Sequence, residues 1–161
     1  MIRILGVDPG STCTGYGLVV EQGGNVRYLA SGHIRPGRNL SRHDRIRDVY
    51  LGIERVIREH TPTHFAIEDV FYGKNPRSMI VLGEARGAAI LAASLASLPV
   101  FEYAPREVKL SITGNGAAHK SQVSFMLGKI LGLDPPENAD ESDAIAIAMC
   151  HAFRENQWSR V

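Results

Sequence analysis

The chain has 161 residues, 18 Lys+Arg against 17 Asp+Glu for a formal charge of +1, and 44% hydrophobic residues. That length suits one domain with a core of its own, and the near-neutral sum, taken alone, argues against a protein that coats nucleic acid or an anionic membrane by charge. Cys13 and Cys150 form no CxxC pair, so no disulfide framework or zinc knuckle is indicated. The nearly apolar run Ala88 to Val100 is interrupted by Ser94 and Ser97 and is too short to cross a bilayer. Met1 to Gly6 has no signal-peptide core. The expectation is a reduced, cytoplasmic, single-domain protein over residues 1–161 with no membrane partner.

Ile2 to Val7 is an apolar run ended by Asp8-Pro9-Gly10, which predicts a strand entering a turn. Tyr16 to Val20 and Val26 to Ile34 predict two more strands, joined at Gly23-Gly24, a hairpin signal. From Ser41 to His60, Ile46, Val49, Tyr50, Ile53, Val56 and Ile57 recur at helical spacing, and Thr61-Pro62 stops the helix. His64 to Val70 predicts a strand running into the loop Phe71 to Pro76. A long helix follows from about Arg77 to Ser97, then a short strand from Val100 to Tyr103. Pro105 suits the first turn of a helix broken at Gly114-Asn115-Gly116. Helices from about His119 to Leu131 and from Asp140 to Phe153 complete the chain. A meander followed by strand–helix–strand crossovers implies an α/β fold, a mixed five-stranded sheet with helices on both faces.

Four carboxylates stand out by position. Asp8 ends the first strand and Glu68 nearly ends the fourth; as parallel neighbours, both would reach one crevice beyond the strand ends, where open α/β sheets bind ligands. Asp140 and Asp143, three apart at the start of the last helix, share one face. The following residues, Ala144 to Met149, are apolar all round, which predicts a buried helix, and no arginine stands near in sequence to neutralise the two acids. A hard divalent cation would satisfy them, Mg²⁺ or Mn²⁺ rather than zinc. Taken singly, Asp8 before Pro-Gly is a turn residue and Asp140 a helix-start residue favoured by the macrodipole. Glu68 has no such propensity reason to sit in its strand. Strand alternation sends Asp69 to the opposite face, away from any metal.

Two segments resemble phosphate loops. Asp8 to Gly15 is similar to the first phosphate loop of actin-like and sugar-kinase ATPases, but those proteins have two domains, and no second such loop appears in this chain. Gly114 to Ser121 has the outer spacing of a P-loop, with His119 where the second glycine must let the backbone wrap phosphate. Neither is read as a nucleotide site; Lys120 remains a candidate phosphate contact at a helix start. Seven arginines lie between Arg35 and Arg58 against Asp44, Asp48 and Glu54. With Lys74 and Arg77, and Arg106 and Lys109, they are candidates for phosphate contact, though any one run is more often a solvated face.

Ile4 to Ser11 with Thr14-Gly15-Tyr16-Gly17 resembles the opening of the RuvC Holliday junction resolvases. The likeness continues through Phe65 to Glu68 with Val70-Phe71, Lys74-Asn75, Leu82 to Gly87, Val100 to Lys109, Gly114-Asn115-Gly116 with Lys120 to Val123, and Asp140 to Ala144. The resemblance implies an RNase H-like fold and a homodimer that makes paired symmetric nicks in four-way DNA junctions with Mg²⁺ or Mn²⁺, two per active site. It also implies a branch-migration complex, RuvA and RuvB, as partner. The family's acidic tetrad falls on Asp8, Glu68, Asp140 and Asp143, with Asp8 expected between the two cations. Its junction-contacting aromatic falls on Phe71, with Tyr72 beside it, and its phosphate-contacting lysines fall on Lys109 and Lys120. The helix from Arg77, rich in small residues, suits either core packing or a dimer seam. An RNase H-like nuclease acting on hybrids or flaps, and a binding-only junction protein, are the competing readings.

Overall fold

The computed structural model describes residues 1–10, 12–69, 75–134, 136 and 138–158, with the backbone alone for 156–158. Strands β1 (Ile2–Asp8), β2 (Thr14–Gln22) and β3 (Asn25–Ile34) form an antiparallel meander, closed between β2 and β3 by Gly23 and Gly24, both at positive φ. Helix α1 (Arg42–His60) leads to β4 (His64–Glu68), which pairs parallel to β1. Helix α2 (Pro76–Leu95) leads to β5 (Val100–Tyr103), parallel to β4. The sheet order is β3-β2-β1-β4-β5, and α3 (Pro105–Thr113), α4 (Lys120–Leu131) and α5 (Ala139–Trp158) follow.

This is the expected mixed sheet covered on both faces, with shifts at element ends. The sequence predicts a fourth strand to Val70, which lies outside the described residues; β4 ends at Glu68, although the Asp69 backbone N–H still donates to the Tyr103 carbonyl of β5 (2.8 Å). Helix α2 starts before Arg77 because the Asn75 side chain accepts from the Arg77 backbone N–H (3.0 Å) and Pro76 fits the first helical position. Ser41 caps α1 in the same way. The far end of α1 is held by Arg3 of β1, whose guanidinium donates to the His60 carbonyl (2.7 Å) and the Thr61 hydroxyl (2.6 Å).

Strand alternation divides the core. Leu5, Val7, Phe65 and Ile67 point to one face, where they pack with Ile53 of α1 and Ala89, Ala92 and Ala93 of α2. Ile4 and Ala66 point to the other, against α5 and residues of α3 and α4. Asp8 and Glu68 follow Ile4 and Ala66 by the period of two, so both carboxylates emerge on the α5 face. By length and composition alone α2 could cross a bilayer. Its alanine face, however, is buried against α1 and the sheet, and only its outer side carries exposed Ile80, Leu91 and Leu95.

Helix α5 lies unusually close to the strands. From Ala144 to Met149 every residue is at most 2% exposed. Glycines on β1 and β2 clear its path: a Cβ at Gly6 would stand 2.3 Å from the Ala144 carbonyl oxygen, and one at Gly15 would stand 2.0 Å from that of Asp140. Both obstacles are backbone and cannot swing aside. Gly6→Ala should therefore destabilise the fold by about 1–3 kcal/mol through overpacking, read as a lowered urea midpoint with an unchanged slope; a wild-type midpoint would contradict this seating of α5.

Candidate active site

The β1–β4 register brings Val7 opposite Ile67, so Asp8 and Glu68 stand level at the ends of neighbouring parallel strands. The chain beyond Asp8 turns back through a short loop closed by Thr14, whose hydroxyl donates to the Gly10 carbonyl (3.3 Å) before β2 begins. Gly15 is the β2 partner of Asp8, and its missing side chain lets the first turn of α5 settle beside it. Asp140 donates its backbone N–H to the Asn138 side chain (2.8 Å), which starts the helix at that point. One turn later Asp143 faces Asp8 and Glu68. These three line a cavity of about 220 Å³ together with Lys109, Lys120 and the apolar wall of Val108. Asp140 lies beyond the lining, beside Cys13, whose thiol is pushed up by burial and by the Asp140 carboxylate.

Like charge dominates the cavity. The Asp8 carboxyl is pushed up to about 7, first by burial, then by Glu68 and Asp143, with Lys120 opposing and Asp140 adding to the rise. Glu68 is raised for the same reasons, burial and then Asp143, against Lys120 and Lys109. The sequence offers no adjacent arginine for the α5 acids, but the fold supplies a cation: Lys120, from the first turn of α4, pairs with the Asp143 carboxylate. That contact, with Asp8 and Glu68 near, raises the Lys120 pKa. One ammonium in contact with a group of carboxylates leaves negative charge uncompensated, and the donors are all hard oxygens, the set suited to Mg²⁺ or Mn²⁺. Among the described residues no three acid, His or Cys side chains stand closed around one point.

Arg86 of α2 closes the other side of the strand end. It donates to the Glu68 carbonyl (3.2 Å), contacts the Glu102 carboxylate, and lies 3.8 Å from Asp69. Asp69 is thus turned toward an arginine and away from the cavity, as alternation predicted. Arg86 lies within the Leu82 to Gly87 stretch that carries the family likeness, but its role at the end of β4 is shown only by the approach of α2. Of the remaining candidate contacts, Arg77 is exposed at the start of α2 and outside the cavity lining, while Phe71, Tyr72 and Lys74 fall outside the described residues. Four arginines of the rich run have partners within the chain. Arg42 pairs with Glu84, Arg47 with Asp44 and Asp48, Arg58 with Glu54, and Arg45 donates to the Arg38 carbonyl.

A mixed sheet with acids at adjacent strand ends under the start of a buried helix defines an RNase H-like α/β protein. The model of the family described as crossover junction endodeoxyribonuclease RuvC matches residues 4–151, and the chain belongs to that family. It is 49% identical over 162 residues to the enzyme of that name from Tolumonas auensis, covering 100% of this chain and 92% of the relative. The one from Pseudoalteromonas translucida is 49% identical over 155 residues, covering 96% and 88%. The structure of T. thermophilus RuvC in complex with Holliday junction substrate superposes with a TM-score of 0.91 at 30% identity, covering 99% of this chain and 98% of that one. The yeast mitochondrial Holliday junction resolvase shares the fold at a TM-score of 0.71 and 11% identity, covering 98% and 80%.

A carboxyl held at about 7 must lose its proton before it can ligate a cation. Below that pH its protonated form competes with metal, so Mn²⁺ affinity should weaken toward about tenfold per pH unit as pH falls below 7, and level off above about 8. Calorimetric titration in buffers of different ionisation enthalpy should show proton release near pH 7 that disappears in Asp8→Asn; affinity independent of pH from 6 to 8 would refute it.

Proposed function

We propose that this chain is a structure-selective endonuclease that resolves four-way DNA junctions by paired symmetric nicks during recombination and repair. The observation that carries the reading is the group of mutually repelling carboxylates at the ends of β1 and β4 beneath α5, in a chain of the RuvC family. Asp8, Glu68, Asp140 and Asp143 are the proposed catalytic acids and would hold Mg²⁺ or Mn²⁺, two per site. Bound there, such cations supply a deprotonated water and stabilise the leaving oxygen of an in-line displacement.

The chain's own residues position the reacting phosphate. Lys109 and Lys120 border the acid cavity from two different helices and are proposed to meet the phosphate oxygens of an entering strand, Lys120 by turning from Asp143. Phe71 and Tyr72, three and four residues after Glu68, are proposed to stack on bases already unpaired at the branch point, with Lys74 and Arg77 on the adjoining backbone. A four-way junction is matched by a two-fold dimer. The outer side of α2 suits its seam: Ile80, Leu91 and Leu95 are exposed at helical spacing, and Gly83 and Gly87 between them have open space around them. A branch-migration complex of RuvA and RuvB is the proposed partner, and the cytoplasm the proposed place of action.

Asp8→Asn should lower nicking of a mobile junction in Mg²⁺ by about 10³-fold or more, several kcal/mol of transition-state stabilisation. Junction binding in Ca²⁺ should stay within a few-fold of wild type. Cutting at the wild-type rate, or preferred cutting of a hybrid duplex or flap, would overturn the reading. Leu91→Glu should convert the dimer to monomer in sedimentation velocity, and an unchanged mass would exclude this seam.

A further inference from the structure

Glu141 follows Asp140 in α5 but turns away from the acid cavity. Its Oε2 accepts from the Ser31 hydroxyl (3.0 Å), its Oε1 lies 2.7 Å from His33 Nδ1, and the Ser31 oxygen is 3.1 Å from the Tyr28 hydroxyl. Both partners, and Tyr28 behind Ser31, belong to β3, the edge strand, more than a hundred residues away in sequence. The Glu141 side chain is only 16% exposed. It forms one side of a cleft of about 530 Å³ whose other side is apolar, with Leu127 and Leu131 of α4 and Ile145 of α5. Neither Lys109 nor Lys120 lies among these contacts. The carboxylate's hydrogen bonds join a helix start to a sheet edge.

Such a tie answers a specific weakness of α5. The run Ala144 to Met149 is apolar all round, so burial against the strand glycines sets its depth but only weakly the rotation of the polar first turn. Successive residues are 100° apart, so Glu141 projects on the side of the helix away from Asp143. A rotation of only 10° would sweep an oxygen about 5–6 Å from the axis through about 1 Å. Metal ligation tolerates about 0.2 Å, and a 1 Å misplacement of reacting groups can cost about 100-fold in rate.

We propose that Glu141 is a positioning residue: held to β3 by Ser31 and His33, it sets the rotation of the first turn of α5 and thereby the placing of Asp140 and Asp143 for the divalent cation. The inference rests on the metal-site reading of the acid cavity.

The test compares wild type, Glu141→Ala, Glu141→Gln and Ser31→Ala. Circular dichroism and thermal unfolding establish the fold, calorimetry gives the affinity for Mn²⁺ alone, and junction nicking is followed across a Mn²⁺ series. Glu141→Ala should bind Mn²⁺ about 10–100-fold more weakly, as loss of a residue supporting metal ligands does. Its kcat should fall while its junction KM holds. Glu141→Gln, which keeps an acceptor for Ser31, should recover part of both, and Ser31→Ala should fall between them. Should Glu141→Ala fail to fold, the other two variants carry the comparison. Folded variants with wild-type Mn²⁺ affinity and rate overturn the proposal, as does lowered thermal stability with unchanged affinity. Wild type that binds Mn²⁺ but does not nick junctions defeats the resolvase reading, and the affinities then decide the role of Glu141. Wild type without Mn²⁺ affinity defeats both.

Discussion

The close seating of α5 on β1 and β2 is the contact on which the rest of the molecule depends. Backbone approaches backbone there because Gly6, Gly15 and Gly17 present no side chain toward the helix. The contact excludes water from both surfaces and buries the run Ala144 to Met149. It also sets where the helix begins. With the Asp140 carbonyl lying in the space left by Gly15, the first turn of α5 overhangs the end of β1, and Asp143 is carried over the parallel strand ends. The same glycines that stabilise the core by admitting the helix thus determine how close the acids of α5 come to Asp8 and Glu68.

That closeness has an electrostatic cost, which the surroundings offset from several directions. Burial and mutual repulsion push the Asp8 carboxyl to about 7, a value that isolated, hydrated carboxylates do not reach. Lys120 relieves Asp143 from α4, and Lys109 opposes the rise of Glu68 from α3. Arg86 holds the end of β4 from the opposite face while it draws Asp69 and Glu102 aside. The near-zero net charge of the chain averages over this arrangement. Without the four proposed ligands the balance is 18 basic residues against 13 acidic ones, +5, so the small sum reflects an acidic pocket within a basic remainder. Charge distribution, rather than total charge, bears on nucleic-acid binding here.

Particular elements show how far the sequence could be read. The short apolar run of β1 ended by Asp8-Pro9-Gly10, the Gly23-Gly24 turn and the helical spacing of Ile46 to Ile57 are local patterns, and each became the element it predicts. Element ends were less legible. The start of α2 depends on a side-chain cap from Asn75, and the last helix runs to Trp158 because nothing in its sequence breaks it after Phe153. Asp8 and Glu68 could be paired from sequence because two strand ends and one alternation rule suffice. Lys120 could be placed at a helix start, but its pairing with Asp143 could not, since 23 residues and a turn separate them. The arginine-rich run reads as a candidate for phosphate contact, and its pairing of Arg42 with Glu84 could not be read from spacing because 42 positions separate them.

By itself the sequence determined the order and type of the elements, the apolar character of α5 and the four carboxylates at strand ends and helix start. Those features follow from local spacing, and together with the ordered family motifs they identify a RuvC chain. Only the tertiary structure decided which charges meet. Arg86 reaches the end of β4, Lys120 reaches Asp143, and Glu141 reaches Ser31 and His33 because packing brings together segments that share no local pattern. The length of chain between such partners is arbitrary so far as spacing is concerned. Their distances are fixed by how deeply one helix can sink against a sheet, and here the glycines of β1 and β2 set that depth.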